Sequence, residues 1–364
     1  MGGVGKALLG QVVQYAPAIL DRLGIDLRYR ALVDSSTVLH IEENAALSHQ
    51  HMRHLAAGLK SGQERLKDQQ GAVAKPSDLS VLATELDRLK RDSRGAWLVV
   101  VDITGASEDL MGPVIAAALR QGQRAVLANK RVLCGPIEGY RQLMAAAGPG
   151  ASRLRYETTV GAALPVISTL RGLLDTEDSV RQVSGAFSGT LGYLTSRLEE
   201  GASYSQAVAE AKAKGYTEPD PRDDLGGVDV ARKALILSRL LGSHLEMKDV
   251  EIEPLYPATL AELSIPEFMQ RTAELDPEYA AKVQSAAAEG EVLRYAATVG
   301  DGRCRVGLER VSREAPLGRL RGTDNIVVFN TARYNAQPLI VQGPGAGTEL
   351  TASGVLADIL SFAR

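Results

Sequence analysis

The sequence predicts an α/β protein: a doubly wound sheet completed by the last helix, with a second, α+β domain inserted. Three observations lead there. Strand-like apolar runs alternate with helix-like ones through the first third. Beyond Pro149 that alternation gives way to strand, helices and a hairpin. A chain of 364 residues also exceeds what one core comfortably serves. The expected division is 1–150 completed by 340–364 for the first domain, and 151–339 for the second.

In residues 6–23, Leu8, Leu9, Val12, Val13, Ala16, Ile19 and Leu20 recur with a 3.6 period, predicting an amphipathic helix despite Pro17. Residues 27–33 read as a short second strand ending in Asp34, Ser35 and Ser36, and a polar helical stretch follows to about residue 90. Residues 97–103 form a nearly continuous apolar strand, of the kind buried on both faces in a parallel sheet, stopped by Thr104 and Gly105. A helix over 107–121 and a strand over 124–128 complete the alternation. In the second domain, 180–187 reads as a strand and 190–199 and 228–241 as helices. Residues 292–299 and 304–311 form a hairpin turned by Gly300, Asp301 and Gly302. Residues 286–290 and the neighbourhood of Pro277 read as surface connections.

Composition excludes several classes. With 45% apolar and 23% charged residues and 36 glycines, the chain has the profile of a globular α/β enzyme. A formal charge of -3 supplies no field to gather nucleic acid or an anionic membrane, so neither partner is expected. Cys134 and Cys304 show no metal or redox spacing, which fits inert thiols in a reducing compartment. No secretory pattern and no membrane-spanning run is present, so a cytoplasmic location is expected, with a plastid open if an upstream segment has been removed. The cluster His49, His51 and His54 lacks a fourth ligand, so a solvated helix face is expected there instead of zinc.

Two motifs carry chemistry. Met1-Gly2-Gly3-Val4-Gly5 matches the last five positions of a G-x-G-x-x-G dinucleotide turn, with Gly2 and Gly5 as its second and third glycines. The strand and first glycine that precede such a turn are absent, and a polypeptide opening this way is expected to bind the dinucleotide poorly and to aggregate. The run 215–233 places five carboxylates and three cations in 19 positions, more than an ordinary surface loop needs. Pro219 and Pro221 hold its acids on a stiff loop, and Asp229 and Lys233 stand four apart on one face of the following helix.

The run 215–233 resembles the signature of homoserine dehydrogenases almost letter for letter. Further landmarks fall in that family's order: Val101-Asp102-Ile103-Thr104, Ala128-Asn129-Lys130, the stretch from Glu157 to Pro165, Gly185 to Thr190, Gly322-Thr323-Asp324-Asn325, and Gly343-Pro344-Gly345-Ala346-Gly347. The likeness is to the short monofunctional members. It implies a Rossmann-type domain with an inserted substrate and dimerisation domain, a homodimer, and NAD(P)-dependent interconversion of L-homoserine and L-aspartate 4-semialdehyde. It also implies a place in threonine, methionine and isoleucine biosynthesis.

By the same resemblance Lys233 is the catalytic acid/base. Lys130 is a second catalytic cation that also contacts the coenzyme. Glu218, Asp229, Asp224 and Gly215 hold substrate, and Gly2, Val4, Gly5, Thr104 and Gly347 contact the coenzyme. Glu157 with the carbonyls of Val160, Ala162 and Leu164 holds a sodium-type cation. The chemistry of residue types agrees: hydride transfer needs the alcohol proton removed, and a lysine buried among cationic neighbours can take it near neutral pH. Ala163 stands where the family usually has glycine, which strains the cation turn if that position needs positive φ. Asp34 ending the second strand favours the ribose diol of NAD, whereas Ser35 and Ser36 suit the 2′-phosphate of NADP. No arginine adjoins them, which tips the preference slightly to NAD with dual use open. Two rivals stand beside this reading: a non-catalytic binding homologue, which the intact acid/base residues oppose, and a related reductase for another small amino acid or aldehyde.

Overall fold

The amphipathic stripe near the start forms helix α1, Gly3–Leu23, in the computed structural model, which describes residues 1–41, 49–74, 86–89 and 96–363. The chain folds as two units. The first is Met1–Leu133 with Glu138–Thr159 and Gly347–Arg364; the second is Cys134–Ile137 with Val160–Ala346.

In the first unit, β1 (Ala31–Val33) and β2 (Thr37–His40) form an antiparallel pair. Helix α2 (His49–Ser61) follows, and β3 (Ala72–Ala74) joins β2. The expected second parallel strand is thus replaced by a hairpin, and the polar helical stretch is broken by β2 and β3. The cause is local. Asp34 Oδ1 accepts from the backbone N–H groups of Ser36 and Thr37, each at 3.0 Å, so the chain reverses before it can cross over. Of that stretch, residues 42–48, 75–85 and 90 lie outside the described residues.

A parallel sheet follows, with β4 (Val99–Asp102), β5 (Arg124–Leu127) and β6 (Leu154–Arg155) in that order, connected through α3 (Glu108–Arg120) and α4 (Ile137–Ala147). Its side chains alternate between faces as a pleat requires. Val99, Val101 and Val126 pack on Leu8 and Val12 of α1 and on Val355 and Leu356 of the last helix, Thr348–Ser361. Val100 meets Val114 and Ala118 of α3 on the other face. Helix α1 buries a second side, Leu9 and Val13, against Leu32 and Leu39 of the antiparallel strands and Leu55 of α2. Trp97, 57% exposed at the start of β4, lies 3.6 Å beneath the Arg124 guanidinium.

The second unit contains α5 (Val166–Asp175), β7 (Val180–Ala186), α6 (Gly189–Glu199), α7 (Tyr204–Ala213), α8 (Val228–Leu240) and β8 (Glu251–Ile252). After these come α9 (Asp276–Ala288), β9 (Glu291–Gly300), β10 (Arg303–Ser312), β11 (Asp324–Thr331) and β12 (Leu339–Pro344). They build one mixed sheet in the order β12-β11-β7-β9-β10-β8, in which β10 and β8 are parallel and the other neighbours antiparallel. The hairpin turns at Asp301 and Gly302, both with positive φ, as a two-residue loop between twisted strands requires. The neighbourhood of Pro277 and residues 286–288, read as surface connections, belong to helix α9 instead. Pro277 sits in the first turn, where its missing N–H is harmless, and Ala286 is buried.

Helices α6, α8 and α9 cover β9. Arg294 is wholly buried and donates to the carbonyls of Leu293, Leu317, Gly318 and Leu320 and to Glu199 at the end of α6, fixing the 316–321 segment against β9. Entry into α8 is as tightly constrained. Gly227 has φ +73°, and a Cβ there would lie 2.0 Å from the Tyr295 hydroxyl oxygen.

Gly227→Ala should therefore lower stability through two effects, left-handed strain of about 1–2 kcal/mol and overpacking of about 1–3 kcal/mol. Gly242→Ala, at φ +90° with open space around its Cβ, should show only the first. Thermal melts of the two variants compare these effects, and equal losses would remove the steric argument.

Candidate functional site

The first unit gathers its polar groups where the parallel strands end. Asp102 closes β4 and is 1% exposed. Its Oδ1 accepts from the Thr104 backbone N–H at 3.0 Å and hydroxyl at 2.7 Å, and its Oδ2 from Asn129 Nδ2 at 3.0 Å. Asn129 also donates to the Ala106 carbonyl and accepts from the Arg131 N–H, both at 3.0 Å. One buried carboxylate thus fixes the turns carrying Thr104 and Lys130. Helix α1 begins with Gly2 in extended conformation and open space about it. Gly5 is closely packed, since a Cβ would stand 3.2 Å from Ile103 Cδ1, just beyond β4, and 2.9 Å from Met1 Cγ. Val4 between them is half-buried.

A cavity of about 360 Å³ lies beside this helix start, lined by Lys6, Asp34, Ser36, Arg65 and Lys67 among others. Sequence reasoning missed Arg65 and Lys67 because they stand some thirty positions beyond Asp34. Asp34 itself lies on a hairpin turn, not at the end of a parallel strand, and its Oδ1 holds that turn.

In the second unit the acidic run becomes an ordered loop. Arg222 grips Asp220 with Nε at 3.0 Å and Nη2 at 2.7 Å, and its Nη1 reaches the carbonyls of Ala261 at 2.6 Å and Leu263 at 2.7 Å. That fork holds the Asp220 carboxyl below the usual carboxylate range. Gly215 opens the loop with φ +71°. The Glu218 N–H donates to Asp224 Oδ2 at 2.8 Å, and Glu218 is exposed. The Asp224 carboxyl is pushed above its usual value by burial first, then by the like charges of Glu218 and Asp229, outweighing hydrogen bonds from the Glu218 backbone and the Thr190 side chain.

Lys233 projects from α8, 9% exposed. Its Nζ donates to the Phe187 carbonyl at 2.6 Å and pairs with Asp229 Oδ2 at 2.8 Å. The groups bonded to Nζ are acceptors, not the cationic neighbours expected from the sequence. Phe187 offers its carbonyl because β7 has ended at Ala186. Neither Phe187 nor Thr190 announces itself in sequence, since a carbonyl has no residue signature.

Of the residues named for a cation, Glu157 belongs to the first unit and Val160, Ala162 and Leu164 to the second. Left-handed backbone falls at Gly161 (φ +81°) and Ala162 (φ +53°), so Ala163 does not carry the feared strain. The Leu164 carbonyl accepts from the Val166 N–H at 2.8 Å and keeps a second lone pair. Gly347, φ +122°, caps the last helix. Among the described residues no group of three or more His, Cys, Asp or Glu could hold a metal. His54 lies 3.5 Å from Glu64, while the His49 and His51 side chains lie outside the described residues. No helix among the described residues is long and apolar enough to cross a membrane.

Polar turns where the parallel strands end in one unit, and a buried lysine paired with a carboxylate in the other, define the class: an α/β protein of two units. Residues 165–360 match the family model described as homoserine dehydrogenase. The chain is 38% identical over 365 residues to a bifunctional aspartokinase/homoserine dehydrogenase 2 of Zea mays, spanning all of this chain and 38% of that protein. It is 42% identical over 275 residues to the homoserine dehydrogenase of Emericella nidulans, covering 72% of this chain and 74% of the relative. The likeness therefore extends to bifunctional enzymes as well as the monofunctional ones expected.

Among solved structures, a Candida auris protein of unknown function superposes with TM-score 0.84 at 29% identity, covering 100% of this chain and 96% of that one. A hyperthermophilic archaeal homoserine dehydrogenase mutant in complex with NADPH shares the fold, with TM-score 0.73 at 23% identity over 99% of this chain and 94% of the other. The chain belongs to the homoserine dehydrogenase family.

Because burial and like charges raise the Asp224 carboxyl, the folded state favours its protonated form. The stability this gives is complete below the unfolded value of about 3.9 and is lost as pH rises through the higher folded value. Asp224→Asn should accordingly melt higher than the parent at neutral pH, with the gap closing towards about pH 4. A melting temperature lowered by this substitution at neutral pH would show that the carboxylate stabilises the loop instead.

Proposed function

We propose that this chain is an NAD(P)-dependent homoserine dehydrogenase that interconverts L-homoserine and L-aspartate 4-semialdehyde. The observation that carries the proposal is the buried Lys233 ammonium, fixed by the Phe187 carbonyl and by the carboxylate of Asp229, whose charge together with that of Glu218 also acts on Asp224. Two of its N–H bonds are directed to Phe187 and Asp229, leaving a third for a substrate oxygen. In the reductive direction the Lys233 ammonium gives that proton to the aldehyde oxygen and becomes the neutral amine; in the oxidative direction the neutral amine takes the hydroxyl proton. Glu218, Asp229 and Asp224 hold the substrate ammonium, with Gly215 shaping the loop. The coenzyme, when bound, supplies or accepts the hydride.

In this proposal the first unit, expected as 1–150 with 340–364, is a Rossmann-type domain, doubly wound, and the second, expected as 151–339, is the substrate and dimer-forming domain of a homodimer; because β12 joins the second unit's sheet, the chain returns to the first at Gly347 instead of 340. Gly2, Val4, Gly5, Thr104, Lys130 and Gly347 face the coenzyme. The helices on both faces of the β4-β5-β6 sheet, and the polar groups at its strand ends, support this assignment. A sodium-type cation on Glu157, Val160, Ala162 and Leu164 belongs to the same proposal, and a tight turn presenting carbonyls suits such a hard ion.

NADP use is favoured by the cavity beside α1. Arg65 and Lys67 line it together with Ser36, suiting a 2′-phosphate, while Asp34 is engaged in its own turn.

Lys233→Ala should lower kcat by about 10² to 10⁴ with coenzyme affinity retained, and near-normal turnover would refute its role. Asp229→Asn and Glu218→Gln should chiefly raise KM for homoserine; loss of coenzyme affinity alone would contradict the assignment. Removing Arg65 and Lys67 together should weaken NADPH binding by about 10- to 100-fold, the equivalent of one lost charge-assisted bond, and leave NADH binding unchanged. Equal losses for both coenzymes would rule out phosphate recognition there.

A further inference from the structure

Asn325 is 1% exposed, yet neither its Nδ2 nor its Oδ1 has a hydrogen-bond partner among the described residues. A buried polar group left unmet is destabilising, so an amide with both ends unmet is a costly residue in a sheet whose neighbouring positions, Ile326 and Val327, are apolar. Its place is specific. On one side β11 pairs with β12, bringing Asn325 opposite Gly343. On the other side β11 pairs with β7 through Ile326 and Ala186, the last residue of β7 before Phe187, whose carbonyl holds Lys233.

The backbone of Gly345 lies directly over the amide: a Cβ on that glycine would stand 1.9 Å from Asn325 Nδ2. No side chain fits between them. Beyond β12, residues 345–347 adopt neither helix nor strand. A carboxamide offers two donors and an acceptor, complementary to the N–H and C=O groups of an irregular backbone segment.

We infer that Asn325 is a positioning residue for the 345–347 turn, its carboxamide hydrogen-bonding the backbone of Gly345 and Ala346 when the coenzyme is bound. The inference rests on the proposal that this chain binds NAD(P). Without coenzyme the amide is unmet, and the turn is held at its ends by the pairing of β12 with β11 and by the Thr351 N–H on the Gly347 carbonyl at 2.9 Å. Coenzyme binding shifts the turn onto the amide, and the hydrogen bonds gained contribute to affinity. Asn325 touches neither coenzyme nor substrate and acts through the turn.

The test compares the parent with Asn325→Leu, which keeps the branched outline with bulkier ends and removes the polar atoms, and with Asn325→Ser as a smaller polar replacement should the leucine variant fail to fold. NADPH and NADH dissociation constants, melting temperature without coenzyme, and deuterium uptake by residues 343–347 with and without coenzyme are measured on the full chain. The expected result for Asn325→Leu is a melting temperature equal to or above the parent's, coenzyme binding weakened about tenfold, and loss of the coenzyme-induced protection of the turn seen in the parent. Asn325→Ser should likewise lose that protection. A lower melting temperature with unchanged affinity and unchanged protection would make Asn325 a structural residue and overturn the inference. If the parent binds neither coenzyme, the proposed function itself falls and this inference with it. If the parent binds and either folded variant binds and protects equally well, only the role of Asn325 falls.

Discussion

The second unit is organised around one buried ammonium. Moving a lysine headgroup out of water costs several kcal/mol unless its hydrogens meet acceptors, and Lys233 meets two. Each requires its own piece of architecture. The Phe187 carbonyl is free because β7 stops one residue earlier. The Asp229 carboxylate is in reach because α8 has begun by Val228, which puts residues 229 and 233 on one face. Gly227 allows that helix to start against Tyr295, and the Arg222 fork anchors the loop before it.

The first unit repeats the device with the opposite sign. Asp102 is buried at the end of β4, and its oxygens are met by Thr104 and Asn129. A carboxylate so placed ties the ends of two adjacent parallel strands, and the polar turns beyond them gain a fixed origin. In both units a single buried charge with directed partners sets the geometry, and the apolar core supplies the rigidity behind it.

How much of this is legible in the sequence depends on whether a feature is local. The α1 stripe, the β4 and β5 runs, the β9–β10 hairpin and the Asp229–Lys233 spacing are encoded within one element, and periodicity alone exposes them. The β1–β2 reversal escapes such a reading because an aspartate after a short apolar run suits a ribose ligand as well as a turn former. Helix α9 escapes it because a proline reads as a breaker, although in a first helical turn Pro277 breaks nothing. The acceptor at Phe187, the Arg65 and Lys67 lining and the covering of Asn325 by Gly345 are products of chain crossings. No spacing rule reaches them, since the partners are brought together only by the tertiary fold.

The stacking of Trp97 beneath Arg124 has a spectroscopic consequence. Trp97 is the chain's one tryptophan, and it lies in the first unit, at the start of β4. A guanidinium against the indole face adds a cation–π contact that exists only while β4 and β5 are paired. Tryptophan emission therefore watches the parallel sheet and is blind to the second unit, whose aromatic residues are tyrosine and phenylalanine. A chain of two units need not unfold in one step. Its emission reports on the first unit and its far-ultraviolet dichroism on the helices and strands of both, and any separation between the two curves measures the independence of the two cores.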